Sequence, residues 1–280
     1  MTQTSHAPLA GVMGWPISHS LSPRLHSYWL KENGIDGAYV PLPVSPDNLE
    51  HALKALPKLG FRGVNLTVPH KEAAVPFLDH VSDVATRIGA VNTVFVSEDG
   101  TLSGTNTDAF GFLENLRRNA PQWSETKGPV VVLGAGGAAC AVVAALLDLD
   151  VVEIRLLNRT TEKAHALAES LGGPIKIVEW SERGEALDGS TLLVNTTTLG
   201  MVGQPRLELS LAALPKSAIV YDLVYAPLET ELLSAARSLG LSTVDGLGML
   251  LYQAAPGFEG WFGVQPIVTD GLRDAVLSTP

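Results

Sequence analysis

The stretch GPVVVLGAGGAACAVVAALL, residues 128–147, can be read in two ways, and the choice decides the fold. It is uncharged and as long as a membrane-crossing helix, for which roughly 20 apolar residues suffice. Four glycines argue against that reading: Gly128, Gly134, Gly136 and Gly137, the last three packed into GAGG. Glycine in a helix interior costs about 1 kcal/mol relative to alanine, so three in four positions predict a break. The stretch is therefore read as a buried strand PVVVL (129–133), a tight turn, and a helix running to about Leu147.

The chain around it supports a strand–helix alternation. Further apolar runs occur at VEIRLL (152–157), IKIV (175–178), TLLVN (191–195), AIVYDLV (218–224) and LSTV (241–244). Helical patterns separate some of them, at TEKAHALAESLG (161–172) and ETELLSAARSLG (229–240), each closed by a glycine. Six short apolar strands with intervening helices predict a doubly wound parallel sheet.

Residues before this sheet form a second α/β unit. AYVPLPV (38–44), FRGVNLTV (61–68) and AVNTVFV (90–96) read as strands, with a helix over 45–56 between the first two. Ser22-Pro23 reads as a helix start, Ser22 as N-cap and Pro23 at the first helical position, with Gly34 as the stop. After Asp245 the pattern is helical again. The fold class is thus α/β with two domains, of which the second is Rossmann-type.

Composition narrows the function classes. The 280 residues are 46% hydrophobic and 17% charged, which is globular, and the formal net charge of −10 argues against a nucleic-acid surface. A lone cysteine, Cys140, forbids an intrachain disulfide and suggests a reducing, cytoplasmic setting. The N-terminal stretch MTQTSHAPLA lacks the basic and apolar regions of a signal peptide. The histidines show no metal-ligand spacing such as H-E-x-x-H, so no metal site is expected.

The glycine turn Gly134-Ala135-Gly136-Gly137-Ala138-Ala139 matches G-x-G-x-x-G/A between a strand and a helix, where backbone N–H groups face a dinucleotide pyrophosphate. At the end of the next strand an NAD site usually carries an acidic residue for the ribose hydroxyl. Here the chain has Asn158-Arg159-Thr160, with Lys163 one turn on. A guanidinium can pair bidentately with a 2′-phosphate, so NADP is favoured over NAD, with Glu162 as the one opposing charge.

NLTVPHK (65–71) raises a different question. Pro69 starts a helix, and Lys71 falls in its first turn, where a cation is disfavoured by roughly 0.3–1 kcal/mol. Asn65 and Thr67, two apart on a strand, leave one face, and Lys71 can swing over it. Ser20, Ser22, Asn92 and Asp108 supply further hydroxyl, amide and carboxylate groups. This inventory suits a small, polyhydroxylated anion. The plainer readings are N-caps for Ser22 and Asp108 and a turn role for Asn92.

The stretches SHSLSPRLH, GVNLTVPHK, GAVNT, GTNTDAFG, LGAGGAACA, NRTTEKA, NTTTLGM, YDLVYAPLETELL and DGLGMLLYQAA occur in this order along nearly the whole chain. Together they resemble the shikimate dehydrogenase family, NADP-dependent enzymes of aromatic amino-acid biosynthesis. The resemblance implies that Lys71 and Asp108 form the catalytic pair. It implies that shikimate or 3-dehydroshikimate contacts Ser20, Ser22, Asn65, Thr67, Lys71, Asn92, Asp108, Tyr225 and Gln253. It assigns NADP to Gly134, Ala135, Gly136, Gly137, Ala138, Asn158, Arg159, Thr160, Lys163, Leu223 and Gly246, with Asp83 beside the nicotinamide.

The expected domains are then a substrate-binding domain over 1–108, an NADP-binding domain over 109–245, and C-terminal helices over 246–280 that return to the first. A homodimer is left open. Lys163 stands where many members carry a second arginine, which relaxes the expectation of strict NADP selectivity, and Leu66 replaces a common valine. Two alternatives stay in view: a quinate/shikimate dehydrogenase (or aminoshikimate-type paralogue) with relaxed substrate or cofactor choice, and a non-catalytic shikimate or nucleotide sensor. Retention of both Lys71 and Asp108 argues against the sensor.

Overall fold

The structure is a computed structural model that describes residues 7–278; residues 1–6 of the stretch read for a leader lie outside the described residues. The chain divides into two compact units, one running to Thr107 and resuming at Gln253, the other spanning Asp108–Tyr252.

The first unit opens with β1 (Leu9–Gly14), α1 (Ser22–Glu32), β2 (Ala38–Pro43), α2 (Leu49–Ala55), β3 (Phe61–Leu66) and α3 (His70–Ala73). It continues through β4 (His80–Val81), α4 (Asp83–Ile88), β5 (Thr93–Val96) and β6 (Leu102–Thr105). The strands make one mixed sheet in the order β2-β1-β3-β5-β6-β4. β1 pairs in parallel with both β2 and β3, and β5 runs antiparallel to β3 and β6. Apolar residues of one sheet face, including Met13, Val64, Leu66 and Val94, pack with Leu49, Leu53 and Leu56 of α2 and its end.

Two of these strands, β1 and β6, carry no strand signal in the sequence, because each contains glycine where the pleat is crowded. A Cβ on Gly11 would lie 2.5 Å from the Val40 carbonyl oxygen, and one on Gly104 would lie 2.4 Å from Leu78. Close backbone approach thus requires the residue that propensity counts against a strand.

Four other expectations are corrected. Ser22 is not the N-cap of α1: Leu21 is, without a side-chain cap, and Ser22 is the first helical residue because its N–H is taken by Ser20 Oγ at 3.3 Å. β3 ends at Leu66, so Thr67 follows the strand, and Asn92 precedes β5. The helix over 45–56 begins as a 3₁₀ turn at Pro46–Asn48. Finally, α3 is one four-residue turn, in which first and last turn coincide. It has too few aligned peptides for a macrodipole, so the helix-end penalty on Lys71 does not apply.

The second unit holds α5 (Asp108–Asn119), β7 (Val130–Leu133), α6 (Gly137–Leu147), β8 (Ile154–Leu157), α7 (Thr161–Leu171) and β9 (Ile175–Ile177). β10 (Leu192–Asn195), β11 (Ile219–Asp222), α8 (Glu231–Ser238) and β12 (Ser242–Val244) complete its sheet. All pairings are parallel, in the order β12-β11-β10-β7-β8-β9. This is the doubly wound order, with its crossover reversing between β7 and β10. β7, β10 and β11 are buried at every residue, as strands covered on both faces must be. The run over 128–147 is strand, turn and helix, and no helix among the described residues is long and apolar enough to cross a membrane.

α9 (Gly246–Phe262) belongs to both units, which divide at Tyr252 and Gln253. Its first turns pack in the second unit, where Gly248 lies against Asn115 so closely that a Cβ would sit 1.8 Å from Oδ1. Its last turns belong to the first unit, where Trp261 Nε1 donates to the Val94 carbonyl at 3.0 Å. α10 (Asp270–Leu277) follows and is held to α1 by Arg24 donating to the Val276 carbonyl at 2.8 Å.

Candidate active site

In the first unit, the candidate residues gather where β1, β3 and β5 meet. The NLTVPHK segment is tied down by its backbone. Leu66 N–H donates to the Asn92 carbonyl at 2.8 Å, Thr67 N–H to Met13 at 3.0 Å, and Val91 N–H to the Lys71 carbonyl at 2.8 Å. Lys71 is half-buried, beside the fully buried His70, whose Nε2–H donates to the Val44 carbonyl at 2.8 Å. A carbonyl only accepts, so this bond fixes the tautomer of His70 and gives it a structural role.

Asn65 is buried and fully engaged. Its Nδ2 donates to the Asn92 carbonyl and to Thr93 Oγ1, both at 3.1 Å, while its Oδ1 accepts the Tyr39 hydroxyl at 2.6 Å. The Asn92 carbonyl again fixes the amide's orientation. Both N–H groups of Asn65 are used, so toward a ligand it offers only the remaining lone pair of Oδ1, an acceptor for a hydroxyl.

Asn92 is held similarly. Its Oδ1 accepts from Thr107 N–H at 2.9 Å, Thr107 Oγ1 at 3.1 Å and Thr93 Oγ1 at 2.9 Å, and its Nδ2 donates to Gln253 Oε1 at 3.3 Å. Gln253, separated from Asn92 by 161 positions, thereby joins the cluster. Ser22 faces the Tyr39 phenol, which burial pushes well above the usual tyrosine range against the influence of that hydroxyl. The first unit therefore brings together Ser22, Asn65, Asn92 and Gln253, with Ser20 bonded to the Ser22 N–H. Asp83 stands apart, exposed at the first residue of α4, where an acid is favourable at a helix start.

In the second unit, Asp108 is the first residue of α5 and is 8% exposed. Gly134 follows β7 at φ +111°, and a Cβ there would lie 2.5 Å from Thr196 Oγ1 in the loop after β10. Gly136 and Gly137 are the opposite case: a Cβ on either would meet nothing within 4 Å. The turn is thus packed behind and open in front. α6 starts there without a side-chain cap or an acid in its first turn, leaving N–H groups for an anion. Arg159 and Lys163 are exposed at the start of α7 and make no ion pair among the described residues. Asn158 Nδ2 donates to the Thr160 carbonyl at 2.8 Å and shapes that loop. These residues fit a dinucleotide with a 2′-phosphate.

Leu223 and Gly246 abut each other, since a Cβ on Gly246 would lie 2.1 Å from the Leu223 carbonyl oxygen. Tyr225, two residues past Leu223, is half-buried, and burial raises its phenol above the ordinary value.

Some structural anchors lie outside the candidate set from the sequence. Tyr39, Thr93 and Thr107 hold the two asparagines. In the second unit Asp222 accepts from Asn195 Nδ2 at 2.9 Å, Val224 N–H at 3.1 Å and Thr230 Oγ1 at 2.7 Å. Burial raises its carboxyl pKa, and these bonds oppose the shift. The one available signal was a polar residue inside or ending an apolar strand run, as in AIVYDLV and TLLVN.

Two family models match this chain: "Shikimate dehydrogenase substrate binding domain" over residues 12–94 and "Shikimate / quinate 5-dehydrogenase" over residues 116–222. A shikimate dehydrogenase (NADP(+)) of Paramagnetospirillum magneticum is 61% identical over 272 residues, covering 97% of this chain and 99% of that one. The chain belongs to the shikimate dehydrogenase family. Among solved members of known structure, a shikimate 5-dehydrogenase of Thermus thermophilus in complex with NADP(H) and shikimate has a TM-score of 0.84 at 41% identity, covering 96% of this chain and 98% of that one. A quinate dehydrogenase of Corynebacterium glutamicum in complex with NAD has a TM-score of 0.91 at 34% identity, covering 98% of this chain and 99% of that one. Shikimate dehydrogenase family members thus match this chain over nearly its full length.

Proposed function

We propose that the chain catalyses the reversible NADPH-dependent reduction of 3-dehydroshikimate to shikimate, with Lys71 and Asp108 as the proton-transfer pair. The observation that carries the reading is the 61% identity over nearly the whole length to an NADP-linked shikimate dehydrogenase, in a chain that carries Lys71 and Asp108 within the motifs NLTVPHK and GTNTD. A cytoplasmic location fits the single cysteine.

The cofactor supplies the hydride, and the protein's task is to bind, orient and manage one proton. The open Gly136-Gly137 face and the uncapped start of α6 would receive the pyrophosphate, and Arg159 with Lys163 the 2′-phosphate. Ser20, Ser22, Asn65, Thr67, Asn92, Tyr225 and Gln253 would meet the ring hydroxyls and carboxylate. As the carbonyl becomes an alcohol, negative charge grows on its oxygen, and the Lys71 ammonium would give that oxygen a proton. In the reverse direction the Lys71 amine would take it back. The Asp108 carboxylate would hold the ammonium in line.

The quinate dehydrogenase in complex with NAD, which matches at a TM-score of 0.91, favours relaxed choice as the second reading. Both are tested by following nicotinamide absorbance with shikimate or quinate, each offered with NADP⁺ or NAD⁺. Turnover only with shikimate and NADP⁺ is expected. Comparable rates with quinate or NAD⁺ would move the chain to the second reading, and no turnover with any pair would overturn both.

A further inference from the structure

Tyr39 lies on β2 and is 5% exposed, yet it makes a short polar contact to a candidate substrate residue of the first unit. Its hydroxyl donates to Asn65 Oδ1 at 2.6 Å and faces the Ser22 hydroxyl. Its ring is clamped. It stacks on His26 with centroids 3.9 Å apart and planes 7° from parallel, and Trp261 lies 6.0 Å away. His26 is itself fully buried among Trp29, Phe258 and Trp261, and no hydrogen bond reaches either of its ring nitrogens. The neutral imidazole serves as a flat surface against the phenol. A tyrosine ring so held has one direction in which to aim its hydroxyl.

Beyond Asn65 the hydrogen bonds continue. Asn65 Nδ2 donates to Thr93 Oγ1, Thr93 Oγ1 donates to Asn92 Oδ1, and Asn92 Nδ2 reaches Gln253. Every link is buried or partly buried; backbone groups set which way each amide faces, and the hydroxyls of Tyr39 and Thr93 fix its aim. Resting on the functional reading above, we propose that Tyr39 is a positioning residue for shikimate, acting through Asn65 to set the direction of the remaining lone pair of Asn65 Oδ1.

The alternative is that Tyr39 only stabilises the fold. Tyr39→Phe removes the hydroxyl and keeps the ring on His26; Thr93→Val removes the hydroxyl on the other side of the same amide. Steady-state kinetics and thermal melting of the full chain separate the two roles. Loss of one positioning hydrogen bond raises KM for shikimate by about 3- to 10-fold, with KM for NADP⁺ unchanged. In the Asn65→Ala background, Tyr39→Phe adds no further rise. A shikimate KM unaltered in folded Tyr39→Phe, or KM values for both substrates moving together with the melting temperature, would overturn the proposal. Should Tyr39→Phe fail to fold, the same shikimate-selective rise in Thr93→Val supports the relay and its absence overturns it. Failure of the wild-type chain to turn over shikimate would instead refute the functional reading on which the proposal rests.

Discussion

Arg159 and His26 mark the extremes of what a single residue does in this chain. Arg159 is exposed and forms no ion pair among the described residues, so its charge is available to a ligand. Arg159→Ala is expected to raise KM for NADP⁺ by about 10- to 100-fold, the range of a lost charge-assisted pair, with little change for NAD⁺. Kinetics with both cofactors check this, and an equal loss on both would reject the 2′-phosphate assignment. His26 is fully buried, so its ionisation is linked to stability. Burial lowers its pKa from 6.5 to about 3, with the Asn65 side chain opposing. Between those values the unfolded chain binds a proton that the folded chain refuses, so stability falls as pH drops through that window, by up to about 1.4 kcal/mol per pH unit. His26→Phe, which removes the titrating group, should flatten this acid limb in urea titrations between pH 6 and 4. An unchanged slope would contradict the assignment.

At the scale of elements, the second sheet was legible in the sequence and the first only in part. Central parallel strands such as β7 and β10 must be apolar on both faces, so VVVL and LLVN announce themselves. β1 and β6 are equally real but contain Gly11 and Gly104 where neighbouring atoms crowd the backbone. The same conflict appears in β3, where a Cβ on Gly63 would lie 2.0 Å from the Val94 carbonyl oxygen and 2.2 Å from Trp261 Nε1. Gly63→Ala should therefore destabilise the first unit by about 3 kcal/mol or more, measured by denaturant unfolding; a cost below about 1 kcal/mol would mean that both β5 and Trp261 shift freely from β3. For the candidate site, hydroxyl, amide and charged side chains in short polar motifs were readable, as with Asn65, Asn92 and Lys71. Tyr39 and Thr93 were not, because a buried tyrosine or threonine in a strand reads as ordinary strand propensity. Gln253 joined the substrate set through family resemblance; its hydrogen bond to Asn92 depends on a fold-back that no local pattern encodes.

For the molecule as a whole, a net charge of −10 gives an anionic substrate and cofactor no general attraction. At physiological salt, charges farther than about 8 Å are largely screened, so local groups decide binding. Lys71, Arg159, Lys163 and the start of α6 are such groups, and only Lys71 is assigned to chemistry rather than to holding a ligand. The most direct test is therefore the kinetics of Lys71→Ala in the full chain with shikimate and NADP⁺. If Lys71 moves the proton, kcat falls by about 10²- to 10⁴-fold while KM for shikimate stays within about threefold of wild type. A large rise in KM with kcat intact would contradict the account and make Lys71 a binding residue.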